Sequence, residues 1–584
     1  MKRFLILIFV IAMTASLVLT GCTPAETTGT SAGTTAATTA ATTADGTTAG
    51  TTAATTAATT AGPESNMNPA GIFPIVKEPV TLTVFVAPEP WLGEFKDNWV
   101  TQEYEKITNV KIEWMQVGRD DVANRINLLL ASGTGLPDVF MTGINREQQV
   151  VYGGQGVFLP LNDYIDEYGV GVNMLFGLDP TVRGQITAPD GNIYGLPEYN
   201  ECYHCDFSMR MWINETWLEN LGLAKPNTID EYYEILKAFK ANDANKNGDP
   251  NDEIPLAAAN DNWHGGVEGF LMNAFVKHQG TGSDRMYFDD NKKIQFAPIS
   301  DQWREGLRYM RKLYAEGLMD QEIFIMDSAQ VRQLTENPAG NRIGSIPAGH
   351  YGIFADLAID GAKLDFGPLA PLEGPDGLRY ATRFLTGINM CFFITNVCEE
   401  PEVAYRWGDG QYGDPSDPEN DRVWMSWGEK GVDWRAAEAG EKGLDGREAL
   451  YAPILPYGEA HNRHWGQPHP QIVTNVMRFS SVAPQDAWDH EQKLYVARHD
   501  FYEQYGPEMD MVIPPLFMDP TAVEEVGELR TVITDYIDET VAGFVTGTLD
   551  IEADWDSVVA NFKAMEVERF VQMIQDNYDR QYGN

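Results

Sequence analysis

The chain has 584 residues, 43% of them hydrophobic, with 85 acidic side chains against 42 basic ones and a formal net charge of -43. That balance excludes nucleic acid as a partner, because phosphate binding needs a positive face, and it argues against direct docking on anionic lipid. It suits a protein kept in solution outside a cell, and the length is enough for two or more lobes with separate cores.

The first predicted element, residues 1–21, is an export signal. Lys2 and Arg3 give the positive start, Phe4 to Val18 is almost wholly apolar, and small residues precede Cys22. The apolar run is short for a membrane span and has no stop-transfer flank. Its end, Leu19-Thr20-Gly21-Cys22, resembles the lipobox of bacterial lipoproteins. That resemblance implies a diacylglycerol on the Cys22 sulfur and a mature chain that begins there, held at the cell membrane by its lipid. Each buried lipid CH₂ contributes about 0.8 kcal/mol, so two or more chains hold stably where one does not.

Residues 22–70 read as a tether. Up to about residue 62 they are nearly all Thr, Ala and Gly in Thr-Thr-Ala-Ala units, which lack the apolar side chains needed to offset chain entropy. A flexible coil of about 40 residues averages roughly 35 Å end to end.

The body opens with a strand, helix, strand, helix, strand pattern. Val80–Val86 alternates apolar and polar, as does Val110–Trp114, with a helix over Trp99–Ile107 between them. Val122, Ile126, Leu129 and Leu130 recur at helical spacing, with Asp120 or Asp121 as N-cap and Gly133 as the stop. Val139-Phe140-Met141 follows. This pattern predicts a parallel sheet in an α/β lobe spanning 71–200. Ligands of such sheets bind beyond the carboxyl ends of the strands, where Trp91 and Arg146 fall. A second lobe is expected over 201–385. In it Thr228 and Glu231 form a capping box for a helix with Ile229, Tyr232, Leu236 and Phe239 on one face, and a later helix carries Trp303, Leu307, Met310 and Tyr314. Residues 386–584 are read as a return to the first lobe, followed by a Trp/Gly-rich insertion near 414–446 and C-terminal helices on the stripes Leu529 to Val541 and Val559 to Ile574.

Cys202 and Cys205 form a CxxC, while Cys391 and Cys398 lie farther apart. The wider second pair makes a weak zinc signal. An exported chain permits a Cys202–Cys205 disulfide, and Met390-Cys391-Phe392-Phe393 suits a buried thiol.

Six stretches in order carry a resemblance to a known family. They are Leu130-Ala131-Ser132-Gly133 leading to Leu136-Pro137-Asp138-Val139, Gly154 to Leu161, Asp190 to Pro197, Asn214 to Leu218, Pro401 to Trp407, and Phe544-Val545-Thr546-Gly547. Behind a lipobox this series resembles the extracellular solute-binding proteins of ABC importers, in the large lipoprotein branch of the group that includes maltose-binding protein. The resemblance implies an α/β, two-lobed, periplasmic-binding-protein-like (type II) fold with a hinge. It also implies a monomer that binds a carbohydrate between its lobes and hands it to permease subunits.

The loop Asp243 to Glu253 has oxygen side chains at places one, three and five and Gly248 at place six, as in the first half of an EF-hand. Place twelve is Ile254, so the second half departs. Loops of this kind closed by Asp-Glu bind calcium in alginate-binding relatives of the family. By that match Asp243, Asn245 and Asn247 donate side-chain oxygen, Asp249 its carbonyl, and Asp252 or Glu253 closes a structural calcium site.

Sugars stack C–H faces on aromatic rings and offer hydroxyls to polar side chains. The candidates by that logic are Trp91, Arg146, Glu198, Tyr199, Tyr203, Trp263, His264, Tyr351 and Trp465, all at predicted loops or strand ends. Two other function classes stand beside the receptor. A glycosidase needs a carboxylate pair, but 85 acidic residues make any pair uninformative. The Gly29–Gly33 match to a nucleophile elbow lies in the tether. A surface adhesin would use the same lipid and tether without needing a cleft.

Overall fold

The computed structural model describes residues 65–89, 91–280, 284–415, 424–455, 459–467, 469–483 and 488–583. The export signal, Cys22 and the Thr/Ala-rich stretch lie outside the described residues. Residues 65–584 form one compact unit. Its first residues belong to the body rather than to the tether in which the sequence reading placed them. Asn68 N donates to Ile75 O at 2.9 Å, and Arg406 Nη2 donates to Pro69 O and Ile72 O at 3.0 Å each. Among the described residues no helix is long and apolar enough to cross a membrane.

The described strands are β1 (Val80–Val86), β2 (Val110–Gln116), β3 (Val139–Met141), β4 (Leu196–Asn200), β5 (Met211–Asn214), β6 (Met286–Phe288), β7 (Ile294–Phe296), β8 (Ser345–Pro347), β9 (Phe366–Leu369), β10 (Gly387–Ile394), β11 (Trp434–Ala436), β12 (Tyr451–Pro453) and β13 (Ile472–Val473). The larger sheet has the order β13-β4-β10-β3-β1-β2. β1 runs parallel to β2 and β3, β13 runs parallel to β4, and β10 is antiparallel to both β3 and β4. All its strands but β10 therefore end at the same edge.

The opening pattern forms as its periodicity dictates. Helices Trp99–Thr108 and Val122–Ser132 connect β1, β2 and β3, and Gly133 closes the second helix at φ 61, where a side chain would be strained. The alternation read in β1 holds only at its start. Val84, Phe85 and Val86 are all fully buried, because β1 lies between β2 and β3, and a parallel strand is covered on both faces.

The chain leaves this sheet after Asn200 and enters a smaller one, β8-β5-β9, at Met211. Trp212, Ile346, Phe354 and Phe366 fill a separate core beside it. It returns at Gly387 as β10, whose Phe392, Phe393 and Ile394 are fully buried, each contributing about 1.5–3 kcal/mol. Helix Ile229–Ala241 starts where expected, with Thr228 Oγ1 accepting from Glu231 N at 3.1 Å. The capping box is half made, since Glu231 Oε2 accepts from Asn227 N at 2.7 Å.

For the chain after 386 the structure revises one expectation and places the insertion. The helices Val523–Thr546 and Val567–Tyr582 pack on helix Asp301–Ala315 and on β7, so they cover the 201–385 segment. Arg311 Nη1 donates to Thr546 O at 3.0 Å, and Ile294 N donates to Gln575 Oε1 at 2.8 Å. The described part of the Trp/Gly-rich insertion lies against the β13 edge of the larger sheet. There Ser426 Oγ donates to Gln471 Oε1 at 2.6 Å, and Trp465 N donates to Met425 O at 3.0 Å.

Candidate functional site

Because the parallel strands share a carboxyl edge, the loops after β1, β3, β4 and β13 lie along it. Polar side chains are locked together where β4 and β13 end. Glu198 is 6% exposed. Its Oε1 accepts from Asn200 Nδ2 at 3.1 Å and from Gln471 Nε2 at 3.0 Å. Burial pushes its carboxyl above the ordinary value, against these bonds, one from Asn389 and the charge of Arg478. Arg478 Nη2 donates to Asn200 Oδ1 at 2.7 Å, and the Tyr199 hydroxyl donates to Glu201 Oε1 at 3.0 Å. Glu198 and Tyr199 thus stand on the same short strand, Glu198 bonded into the Asn200, Gln471 and Arg478 set and Tyr199 to Glu201 on the other face.

The crossover from β4 to β5 builds the second wall. Arg210 is fully buried. Its Nη1 donates to Gly349 O at 2.8 Å, its Nη2 donates to His204 O, and its Nε has no partner. Gly349 N donates in turn to Trp263 O at 3.0 Å. One guanidinium thus ties the segment following β4 to the 349–350 turn and, through it, to the 263–266 turn.

Rings gather on this frame. Trp263, 39% exposed, lies 5.2 Å from His264 and 6.2 Å from His350 between centroids. His264 stacks on Phe384 at 4.7 Å, and His350 meets His490 edge-on at 5.7 Å. Tyr203 packs on His204, and its hydroxyl donates to Glu491 Oε2 at 3.0 Å. Burial depresses all four imidazoles, helped by the Arg210 charge: His264 and His490 to about 4, His350 to about 3, and His204 well below 6.5. At neutral pH they are uncharged rings, each with a donor and an acceptor nitrogen. A half-exposed indole beside neutral imidazoles suits a neutral polyhydroxyl ligand.

The other candidates have different surroundings. Trp91 is half-buried on the carboxyl edge, and His461 N donates to its carbonyl at 3.0 Å. Arg146 is tied down, with Nη1 donating to Gln185 O at 2.8 Å and its guanidinium 4.3 Å over the Phe517 ring. Two candidates are corrected. Trp465 is 1% exposed and sits in an aromatic core with Phe95, Tyr104, Trp114 and Trp407, its Nε1 donating to Thr101 Oγ1 at 2.9 Å. Tyr351 is also 1% exposed, packed 4.2 Å from Trp212 with its hydroxyl on Phe366 O. Both rings are held by core packing and present no face to a groove. Sequence reasoning passed over Arg210, although a lone Arg inside Phe207-Ser208-Met209-Arg210-Met211-Trp212-Ile213 was a readable signal.

Cys202 and Cys205 form a disulfide, and Cys391 and Cys398 are buried thiols. The 243–253 loop is compact. Asp243 accepts from Asn247 N and Gly248 N at 3.0 and 2.9 Å, and Asp252 accepts from the amides of Asn245 and Asn247 at 3.3 and 2.9 Å. Gly248 sits at φ 93, the tight turn that only glycine makes without strain. Asp249 Oδ1 accepts from Asn251 N at 3.2 Å, outside this knot. Glu253 Oε1 accepts from Ala244 N at 2.8 Å, while its Oε2 is buried with no hydrogen-bond partner. An orphaned carboxylate oxygen beside converging oxygen donors fits a hard cation.

Residues 89–329 match the family model described as bacterial extracellular solute-binding protein. The chain is also 26% identical over 533 residues to the fructooligosaccharide ABC transporter substrate-binding protein FusA of Streptococcus pneumoniae serotype 4 (strain ATCC BAA-334 / TIGR4), covering 88% of this chain and 92% of that one. Over residues 89–329 it is similar to the bacterial extracellular solute-binding proteins. The structure of S. pneumoniae FusA with kestose superposes with a TM-score of 0.73 at 24% identity, over 86% of this chain and 99% of that one. An EF-hand mutant of FusA with fructo-nystose gives the same TM-score, identity and coverage. The α/β, two-lobed type II binding-protein fold expected from the sequence is therefore the fold of this chain.

Proposed function

We propose that this protein is the lipid-anchored receptor of an ABC importer, binding an oligosaccharide between its lobes and delivering it to the permease without making or breaking a bond. The observation that carries the reading is the half-exposed Trp263 among neutral imidazoles, on a frame that Arg210 ties to the carboxyl edge of the larger sheet. The name of the FusA relative, which specifies fructooligosaccharide, supports the solute class. Mechanism is lobe closure over the solute.

Mass spectrometry of solute co-purified with the protein names the ligand, and calorimetry then measures it. Trp263→Ala is expected to weaken that binding by about 5–30-fold, since truncating a central aromatic anchor removes roughly 1–2 kcal/mol. Unchanged affinity sinks the site assignment, and release of shorter sugars on incubation favours the glycosidase reading instead.

Anchoring is proposed through Cys22, after which the tether lets the body range above the membrane. Cys22→Ala is expected to shed the protein into the medium or leave it unprocessed. Normal cleavage with full membrane retention counts against the lipid. The 243–253 loop is proposed to hold a structural calcium ion. FusA has an EF-hand by the description of its mutant, and the orphaned Glu253 oxygen supports the same role here.

A further inference from the structure

The Cys202–Cys205 turn carries two side chains of the candidate solute site, Tyr203 and His204, but its sulfurs take no part in that reading. Cys202, His204 and Cys205 bring their sulfur and ring-nitrogen atoms within 4.8 Å of one another. His204 Nε2 lies 3.6 Å from Cys202 Sγ and 3.8 Å from Glu491 Oε2, so one imidazole nitrogen faces both a sulfur and a carboxylate. The Cα atoms of the two cysteines are 5.2 Å apart, and Cys205 N donates to Cys202 O at 2.9 Å. In a tetrahedral zinc site with Zn–S about 2.3 Å and Zn–N about 2.0–2.1 Å, ligand atoms stand roughly 3.3–3.8 Å apart. The His204 separations are near that range already. The cluster within 4.8 Å holds the two sulfurs and the ring, and Cys205 Sγ now faces His204 Nδ1 at 3.9 Å, so on reduction the sulfurs must part, the ring must turn and the Glu491 carboxylate must close in.

We propose that reduction of the Cys202–Cys205 disulfide creates a tetrahedral site for a zinc-like divalent cation, with Cys202 Sγ, Cys205 Sγ, His204 Nε2 and Glu491 Oε2 as ligands. Three further features support it. The Tyr203 hydroxyl donates to Glu491 Oε2 at 3.0 Å and aims that carboxylate, as outer partners of metal ligands do. Arg210, on the carbonyl of His204, puts a fixed positive charge beside atoms that must ionise. Cys205 is partly exposed and gives the ion an entry.

The reducing step is balanced by a phosphine. It gives two electrons to the S–S bond and becomes the phosphine oxide with an oxygen from water, and the two protons of that water end on the sulfurs. The cation then displaces both thiol protons into solvent. The metal replaces a link within one turn by a link that also reaches Glu491, so it ties the crossover between the sheets to helix His490–Val496. The site shares His204 with the candidate solute site but does not depend on which solute binds there, and it is separate from the 243–253 loop.

The test uses the full chain with excess calcium, kept oxidised or reduced with phosphine, and Co(II) as the probe. The reduced chain is expected to take up one more equivalent of Co(II) than the oxidised chain. It should show sulfur-to-cobalt charge-transfer absorption and the intense visible bands of a tetrahedral ion, both abolished by zinc. Glu491→Gln is expected to weaken Co(II) by about tenfold or more and to shift the visible bands. Cys202→Ser with Cys205→Ser removes the extra equivalent. If that variant does not fold, the reduced wild-type chain alkylated on its thiols serves the same comparison. Equal Co(II) uptake by oxidised and reduced chains overturns the proposal, as does sulfur charge transfer that survives alkylation. Loss of near-ultraviolet circular dichroism on reduction, with Co(II) unable to restore it, overturns it too.

Discussion

Acidification from pH 7 to about pH 4.5 is expected to unfold the protein, at a pH where exposed carboxylates are still largely ionised. The cause lies in buried imidazoles. His204, His278 and His469 are 8%, 0% and 1% exposed. Burial holds His278 at about 3, with Arg285 adding to the effect. It holds His469 at about 4, against bonds to the Pro470 and Gly466 carbonyls, and holds His204 well below 6.5.

In the unfolded chain each ring takes a proton as pH falls past about 6.5. In the folded chain it stays neutral until the lower value is reached. The stability tied to these rings is therefore complete above about pH 6.5 and is lost as pH falls toward 4. Each ring accounts for about 1.4 kcal/mol per pH unit, so three give roughly 4 kcal/mol per unit against a net stability of about 5–15 kcal/mol. His264, His350, His464 and His490 are depressed in the same direction but keep partial exposure, and they add a smaller share. Buried Glu198 and Asp206 are raised, so they gain a proton in the folded chain first and pull the other way between their ordinary and raised values. Denaturant melts by circular dichroism from pH 7 to 4 give the slope, and His278→Gln should reduce it by one proton's worth. An acid limb that starts only below about pH 3.5 would mean that the folded imidazoles are already charged.

What the sequence made legible follows from how local each signal is. β1 to β3 and their helices were readable because each carries its own period and its own stop, such as Gly133 in the left-handed region. The antiparallel insertion of β10 between β3 and β4 was not, since nothing within Gly387–Ile394 says which strands flank it. The C-terminal helices had visible apolar stripes, but a stripe does not name its partner, which is helix Asp301–Ala315 for Val523–Thr546 and β7 for Val567–Tyr582. The site shows the same division. Trp263 was legible as an aromatic beside Gly265 and Gly266 in a turn. Trp465 looked alike in sequence and turned out to be core, because only the fold brings Phe95, Trp114 and Trp407 around it. The tie from Arg210 to Gly349 joins residues 139 apart in sequence, beyond the reach of any local rule.

Removing calcium is expected to lower stability by about 2.7 kcal/mol where the ion had been at a hundredfold excess over its Kd, and Asp243→Ala should abolish that dependence. Asp243, Asp249, Asp252 and Glu253 crowd carboxylates onto one short loop, and the protein cation set against them is Arg342, 3.4 Å from Asp252. Burial raises the Glu253 carboxyl above its ordinary value, and the neighbouring Asp252 charge adds to this. A divalent ion would satisfy the orphaned Glu253 Oε2 and screen that repulsion, so binding should also release protons wherever that carboxyl is still protonated. The backbone bonds from Asn247 and Gly248 to Asp243 hold the turn before any ion arrives. Asp243→Ala therefore removes a donor and loosens the turn together, whereas Glu253→Gln keeps the Ala244 bond and removes only charge. Both variants should lose calcium sensitivity, and Glu253→Gln should melt without calcium no lower than the wild type does. Identical melting of the wild type with calcium and with chelator at equal ionic strength would leave the loop a polar turn held by its own hydrogen bonds and by Arg342.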